Sequence, residues 1–341
     1  NQILKLATTA ASGYTSQVRN AGHIRNRGYE IQLGAVPIQT SKGFRWNLDL
    51  NYGANSSKVV KLDDEGLITS YQLYSSGIQI LASVGEAYGT LFGTSYVRDA
   101  NGNVVVDANG LPKISTTNKT LGKFTPDWTG GISNTFSYRS LSLSFLIDAS
   151  VGGSIFSNTN KTGKYTGVLA NTLSGRDAEH GGLWYYTAAM GNNVRLSESP
   201  SYSVSSDGLY YAQVNGQSTR VYQDGIMVEG VTESGSKNEE VVSAEKYYHR
   251  IYSIAEANVY DASYVKLREV ALSYRLPRLW TQKLHLQEAS VTLTGRNLWT
   301  IYKSVPNIDP ESALTTGNAQ GVEAYSLPTT RSFGVNLSVK F

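Results

Sequence analysis

Histidines are where chemistry would be sought first, and the four in this chain, His23, His180, His249 and His285, stand far apart. A metal site or an acid–base pair needs such residues at short fixed spacing, as in HExxH, and none of the four has it. No Gly-x-Ser-x-Gly elbow, phosphate-binding Gly-Lys loop or dinucleotide glycine motif occurs. Asp99-Ala100-Asn101-Gly102-Asn103 has the start of a calcium loop, but the twelfth position is Gly110 rather than the bidentate Glu. Asn101-Gly102 reads better as the tip of a hairpin over Val97–Val106, with a second turn at Asp107-Ala108-Asn109-Gly110. Asn307-Ile308-Asp309-Pro310-Glu311 sets two carboxylates around a proline. It reads as a proline-fixed turn, with a cation or partner contact as the alternative. No catalytic residue, metal ligand or cofactor is expected, and no enzyme.

Aromatic residues carry the remaining chemistry, with 23 Tyr, 5 Trp and 8 Phe in 341 residues. Tyr71, Tyr74, Tyr88, Phe92, Tyr96, Tyr247 and Tyr248 fall in long segments between strands. So do Trp184, Tyr185, Tyr186, Tyr210 and Tyr211, which are the candidate substrate- or partner-contacting residues. Flat rings with a polar tip suit sugar faces, protein interfaces and the packing of a loop on itself. Ser243 followed by Ala244-Glu245-Lys246 predicts a capped short helix reaching Tyr252.

The elements that must carry these loops are strands. Phe44, Trp46, Leu48, Leu50 and Tyr52 alternate with Arg45, Asn47, Asp49 and Asn51. Leu141, Leu143, Phe145, Ile147 and Ala149 form a similar face, as do Phe333, Val335, Leu337 and Val339 against Asn336 and Ser338. Weaker alternation covers 27–39, 127–138 and 287–298. A seventh run, 263–276, slips phase near Arg268-Glu269, which predicts a bulge. Charged residues are only 17% and Gly is 33 of 341, unlike a helical enzyme or a disordered tail. A net charge of +3 argues against a nucleic-acid partner. Zero Cys excludes disulfides and thiolate chemistry. No apolar run is long enough for a membrane helix. Asn1-Gln2-Ile3 is followed by no secretory leader, so the chain reads as starting inside something larger.

Short links (40–43, 139–140, a Pro-containing turn over 276–287) alternate with long ones (58–126, 152–262, 299–330). In a meander this puts tight turns at one end and loops of about 30 to about 110 residues at the other. Compact soluble domains seldom need such loops. Outer-membrane barrels show this asymmetry, and lipid explains the two-faced strands. Phe44, Trp46, Leu48, Leu50, Leu141, Leu143, Phe145, Val335, Leu337 and Val339 are then the lipid-facing residues. Arg45, Asp49, Asn51 and Asn336 face the lumen. Trp46, Trp128, Trp299, Tyr138 and Tyr302 suit the aromatic girdles. The chain ends on Phe341, as bacterial barrels commonly do, and strand parity counted back from it puts every long loop outside. The expected fold is all-β, a transmembrane antiparallel β-barrel segment. Seven strands cannot close such a barrel, so the edges at 27–39 and 331–341 need partners.

Particular motifs add a resemblance. They are Asn26-Arg27-Gly28-Tyr29-Glu30, Gly122-Lys123-Phe124-Thr125-Pro126-Asp127-Trp128, Tyr260-Asp261-Ala262-Ser263-Tyr264-Val265-Lys266-Leu267-Arg268-Glu269, Gly295-Arg296-Asn297-Leu298-Trp299 and Leu327-Pro328-Thr329-Thr330-Arg331-Ser332-Phe333-Gly334. In this order they resemble the C-terminal barrel segment of the SusC/RagA family, TonB-dependent nutrient transporters of Bacteroidetes outer membranes. The resemblance implies that residues 1–341 supply about the last seven strands of a 22-stranded barrel, with the plug domain and TonB box outside this chain. It implies a SusD-like lipoprotein partner, coupling to TonB, and a glycan or peptide substrate. A β-rich surface adhesin without transport is the alternative function, although no internal repeat supports it.

Overall fold

A computed structural model of the chain describes residues 2–7, 10–63, 66, 68–283 and 285–341, with the backbone alone for 2–7, 10 and 19–21. Asn1 lies outside the described residues, as do Asp64, Glu65 and Leu67 of the first long link.

Seven strands form one antiparallel sheet. They are β1 (His23–Gln39), β2 (Phe44–Lys61), β3 (Trp128–Tyr138), β4 (Leu141–Val151), β5 (Tyr264–Arg275), β6 (Glu288–Lys303) and β7 (Ser332–Lys340). Each lies beside its neighbours in sequence, so the sheet is an uninterrupted meander with β1 and β7 at its edges. Among the described residues neither outer edge has a strand partner. Pro37, which has no N–H to donate, sits on edge strand β1, where the register slips between Ala35 and Ile38.

The register aligns one apolar residue from each of the seven strands. Ile38, Trp46, Phe136, Leu143, Leu272, Leu293 and Val335 are consecutive cross-strand partners. The next row, Phe44, Tyr138, Leu141, Tyr274, Val291 and Leu337, runs parallel to it. On the opposite face Arg45, Ser137, Ser142, Ser273, Thr292 and Asn336 make an equally continuous polar row. Within it Ser137 and Ser142 share a 3.2 Å hydrogen bond and Thr292 donates to Ser273 at 2.9 Å. Strand alternation accounts for both rows, since a period of two keeps each residue type on one face.

Three strands run further than their alternation predicts. β2 continues to Lys61 where its link was expected from 58. β1 begins at His23 instead of 27, and β6 continues to Lys303 instead of stopping at 298. In β6 the cause is Asn297, whose φ of 51° breaks the pleat opposite Arg268. Beyond that break Trp299 and Tyr302 again pair with Leu267 and Val265 on the apolar face. The expected bulge in β5 falls at Arg268, which both neighbouring strands skip in register. Arg268 is the pivot of the whole strand. Without the extra residue Tyr264 and Lys266 would share a face with Val270 and Leu272; with it they turn to the polar face.

Three short connections lie at one end, and the one at 276–287 holds a helical turn, α3 (Arg278–Lys283). The long connections lie at the other end and are folded. One four-stranded sheet joins Ser70–Ser75, Gln79–Ser83, Tyr88–Gly93 and Lys119–Lys123. A second sheet spans 183–227, with Val241–Ser243 paired to its longest strand. Two helices, α1 (Asn158–Thr166) and α2 (Ala244–Tyr252), pack on each other, and α2 also packs on the second sheet. α2 has the predicted cap, Ser243 Oγ accepting from Lys246 N. The predicted hairpin also forms. Asp99 Oδ1 accepts from the amides of Asn101 and Asn103, so that carboxylate is used within the turn.

The hydrophobic core sits in these loops. Ile78, Ile80, Leu91, Phe156, Ala255 and Val322, drawn from all three long connections, form one buried cluster. No helix among the described residues is long and apolar enough to cross a membrane.

Candidate functional site

The ten residues expected to meet lipid lie on the apolar face of the wall, and none is buried. Val335 is 73% exposed, Leu337 64%, Leu141 46%, Val339 41% and Leu143 38%. Exposed apolar surface of this continuity needs a covering medium. Phe44, Trp46 and Phe145 crowd around Phe136, with ring centroids 5.7–6.4 Å away. The cluster closes over Asn134, a buried polar residue on the apolar face, whose Oδ1 accepts from Trp46 Nε1 at 3.0 Å. Leu48 and Leu50 continue the face toward Tyr52, which lies 5.7 Å from Trp128. Tyr138 and Trp128 close β3 at its two ends. The strand between them rises about 33 Å at ~3.3 Å per residue. Tilted about 40°, it would span about 25 Å, the height of a barrel's apolar band.

The polar face carries a dense cluster of charged side chains. Arg268 donates from Nε and Nη2 to the two carboxylate oxygens of Asp148 at 3.0 and 2.9 Å. It also donates to both oxygens of Glu311, at 2.8 and 2.6 Å. Lys266, almost fully buried, donates to Asp309 Oδ1 and Glu311 Oε2 at 2.6 Å each. Tyr264 Oη donates to Glu311 Oε1 at 2.9 Å. Thr329 closes the second oxygen of Asp309 through its hydroxyl at 2.5 Å and its amide at 3.2 Å. Burial alone would raise the Asp309 carboxyl. Hydrogen bonds from Lys266 and Thr329 outweigh it and hold the group down to about 2. Glu311 is likewise lowered against its burial by Arg268 and Lys266.

This cluster is a latch. The last long loop enters through Asp309 and Glu311 and is fixed to the inner wall by bidentate, charge-assisted bonds. The same loop is pinned again at Glu323, which is completely buried. Its carboxylate accepts from the hydroxyls of Ser157 and Thr159 at 2.6 Å and from the amides of Thr159 and Ser326. Ser157 is also the N-cap of α1, so the anion sits at the positive end of a helix. One loop thereby ties the wall to the second long loop.

The five candidate contact residues lie in the sheet of residues 183–227. Trp184 is buried against Tyr202 and Tyr210, with centroids at 5.1 and 5.8 Å, and above Ala212 and Val221. Tyr185 is buried, stacks on Tyr222 at 5.1 Å and donates to Asp224 Oδ1 at 3.1 Å. Tyr186, Tyr210 and Tyr211 are half-buried, Tyr186 and Tyr210 packing against the Trp184 cluster. These residues do not meet the latch.

No family model matches the chain. A receptor of Formosa agariphila named TonB-dependent receptor P3 is 26% identical over 97% of the chain and 30% of its own length. TonB-dependent receptor P26 of the same organism is 24% identical over 99% of the chain and 31% of its own length. Among solved structures, the RagAB peptide transporter superposes over 99% of the chain and 32% of its own, with TM-score 0.58 and 19% identity. The RagAB peptide importer in its open-open state superposes with TM-score 0.58 and 17% identity.

The chain is similar to TonB-dependent receptors over nearly its whole length and shares the fold of the matching third of the RagAB transporter. It spans about a third of the length of the curated relatives it matches. In this segment, Tyr264-Val265-Lys266-Leu267-Arg268 and Asn307-Ile308-Asp309-Pro310-Glu311 are two halves of one structure. Nothing local in either motif points to the other, or to Asp148 and Glu323, beyond one shared spacing: cations at 266 and 268 and carboxylates at 309 and 311 both stand at i, i+2.

Proposed function

We propose that this chain is the C-terminal part of an outer-membrane TonB-dependent nutrient importer, taking up a glycan or a peptide. The observation that carries the reading is the unbroken apolar row across all seven strands, opposite an equally unbroken polar row, in a sheet with two open edges. That is the inside–outside contrast of a lipid-embedded barrel wall. Other strands of the same protein pair with β1 and β7, and its plug and TonB-contacting segment lie outside residues 1–341. The wall residues from Phe44 to Val339 named above face the bilayer. The folded long loops lie outside the cell, where a SusD-like lipoprotein docks on them and on the part-exposed Tyr186, Tyr210 and Tyr211.

The test uses the intact protein in its own cell. Tyr186→Asp with Tyr211→Asp is expected to reduce lipoprotein co-purification and slow growth on the cognate nutrient, with outer-membrane insertion unchanged. A soluble, non-membrane location for the whole protein would refute the importer reading. Normal co-purification by the double variant would refute only the docking surface.

A further inference from the structure

A second site lies in the folded loops, away from the latch. A cleft of about 730 Å³ opens between the hairpin of residues 96–112, the helices α1 and α2 and the strand ending at Met227. This volume falls in the range of small-molecule sites. Its walls are partly apolar, with Val104, Met227 and Ile251, and partly aromatic, with Tyr96 and Tyr247. At its base is Lys164 of α1, 8% exposed.

Lys164 is the unusual member. Its ammonium donates to Ala257 O at 2.7 Å and to Asn258 Oδ1 at 3.2 Å, and sits 5.3 Å from the centre of the Tyr260 ring. These are two neutral acceptors and a ring face for a group with three donors and a full charge. Among the described residues no carboxylate lies within ion-pair distance of it. Lys266, equally buried, has two. A buried cation without a counter-charge is costly unless something supplies one. Burial holds the Lys164 ammonium down to about 8, so it is still charged at neutral pH. The hydroxyls of Tyr96 and Tyr247 make no hydrogen bond to any described residue, and burial raises both phenols. They remain neutral donors. Glu229, which also lines the cleft, is exposed and makes no ion pair with Lys164.

We infer that this cleft binds a carboxylate-bearing ligand, with the carboxylate on Lys164, the Tyr96 and Tyr247 hydroxyls beside it and an apolar portion against Val104, Met227 and Ile251. A free peptide C-terminus and a terminal uronic acid share that chemistry. The inference rests on the importer reading only for the outward position of the cleft. It is tested by binding in detergent, where both sides of the barrel are open, so its failure leaves uptake and membrane location untouched.

The experiment titrates the intact, detergent-solubilised protein by calorimetry with two probe pairs. One pair is the tripeptide Ala-Leu-Leu as free acid and as C-terminal amide. The other is a glucuronate-terminated disaccharide and its neutral glucose counterpart. Tenfold or tighter binding of the acid over its neutral partner is expected in one pair, and the pair that shows it identifies the source. Lys164→Met should abolish that preference while leaving binding of the neutral partner unchanged. Met227→Trp, which narrows the mouth without touching the lysine, should weaken the acid tenfold and serves if the first variant fails to fold. Equal binding of acid and neutral forms in both pairs overturns the inference, as does an acid preference that survives Lys164→Met or acid binding that Met227→Trp leaves unchanged.

Discussion

The wall and the loops invert each other. In the wall, large apolar side chains are exposed and the polar face is where side chains are tightly paired. In the loops, apolar side chains are buried as in a soluble domain. Of the fully buried hydrophobic residues, Ala289 and Val59 belong to wall strands, and Val59 packs upward into the loop cluster with Leu62 and Ala82. The same residue types therefore do opposite work. Leu143 is exposed on a face that meets lipid on the importer reading proposed above; Leu91 is buried because a loop sheet in water needs a core. Cohesion in the wall rests on the backbone ladder, and in the loops on packing.

That contrast sets the expected sizes of perturbations. The largest belongs to the loops. Phe156, inaccessible to solvent in a cluster fed by all three long loops, should cost the loop assembly about 3–5 kcal/mol when replaced by Ala. Proteolysis should then enter the loops while the barrel keeps its heat-modifiable mobility on gels. Simultaneous loss of both would mean that wall and loops are one cooperative unit.

Lys266→Met acts at the joint between them. It leaves Asp309 buried without its cation and should free the last loop at a cost of about 3 kcal/mol. Hydrogen exchange across 304–331 reads it, and unchanged protection there would rule out the latch as a fastening. The same joint should respond to acid. Asp309 has a folded value of about 2 against an ordinary 3.8, so its contribution is complete above 3.8 and is lost as pH falls toward 2. Loop release that began instead on raising the pH through neutrality would have the wrong sign.

Leu143→Arg tests the wall. A cation on the lipid side should cost about 2–4 kcal/mol near the midplane, read as reduced insertion or a lowered urea midpoint in vesicles. A neutral result would place Leu143 away from lipid. The smallest effect is expected from Trp46→Phe. The ring stays in its aromatic cluster but Asn134 loses its partner, at about 1 kcal/mol. A loss as large as that of Leu143→Arg would show that Asn134 holds more of the wall than one hydrogen bond.

Much of the wall was legible in the residues. Alternation located all seven strands, and the phase slip at Arg268-Glu269 located the bulge. The continuation of β6 past 298 was hidden because Asn297 breaks the alternation that reveals strands. In the loops, Ser243 announced α2 and Asn101-Gly102 announced a hairpin, both short-range signals. The meeting of Lys266 and Arg268 with Asp309 and Glu311 was not legible. Some 43 residues separate Lys266 from Asp309, and nothing local says which loop returns to which strand.

The sequence by itself determined the period-two strands, their two faces, the tight turns at one end and the long loops at the other. Local sterics and the polarity of successive side chains suffice for each of these. Tertiary structure alone decided which charges are paired. Lys266 and Lys164 are both buried lysines with apolar or small neighbours in sequence. One received two carboxylates from a returning loop and became a fastening. The other received carbonyl and amide oxygens and kept an uncompensated charge in a cleft. Burial and counter-charge are properties of the assembled surroundings, and those are set by contacts between segments far apart in the chain.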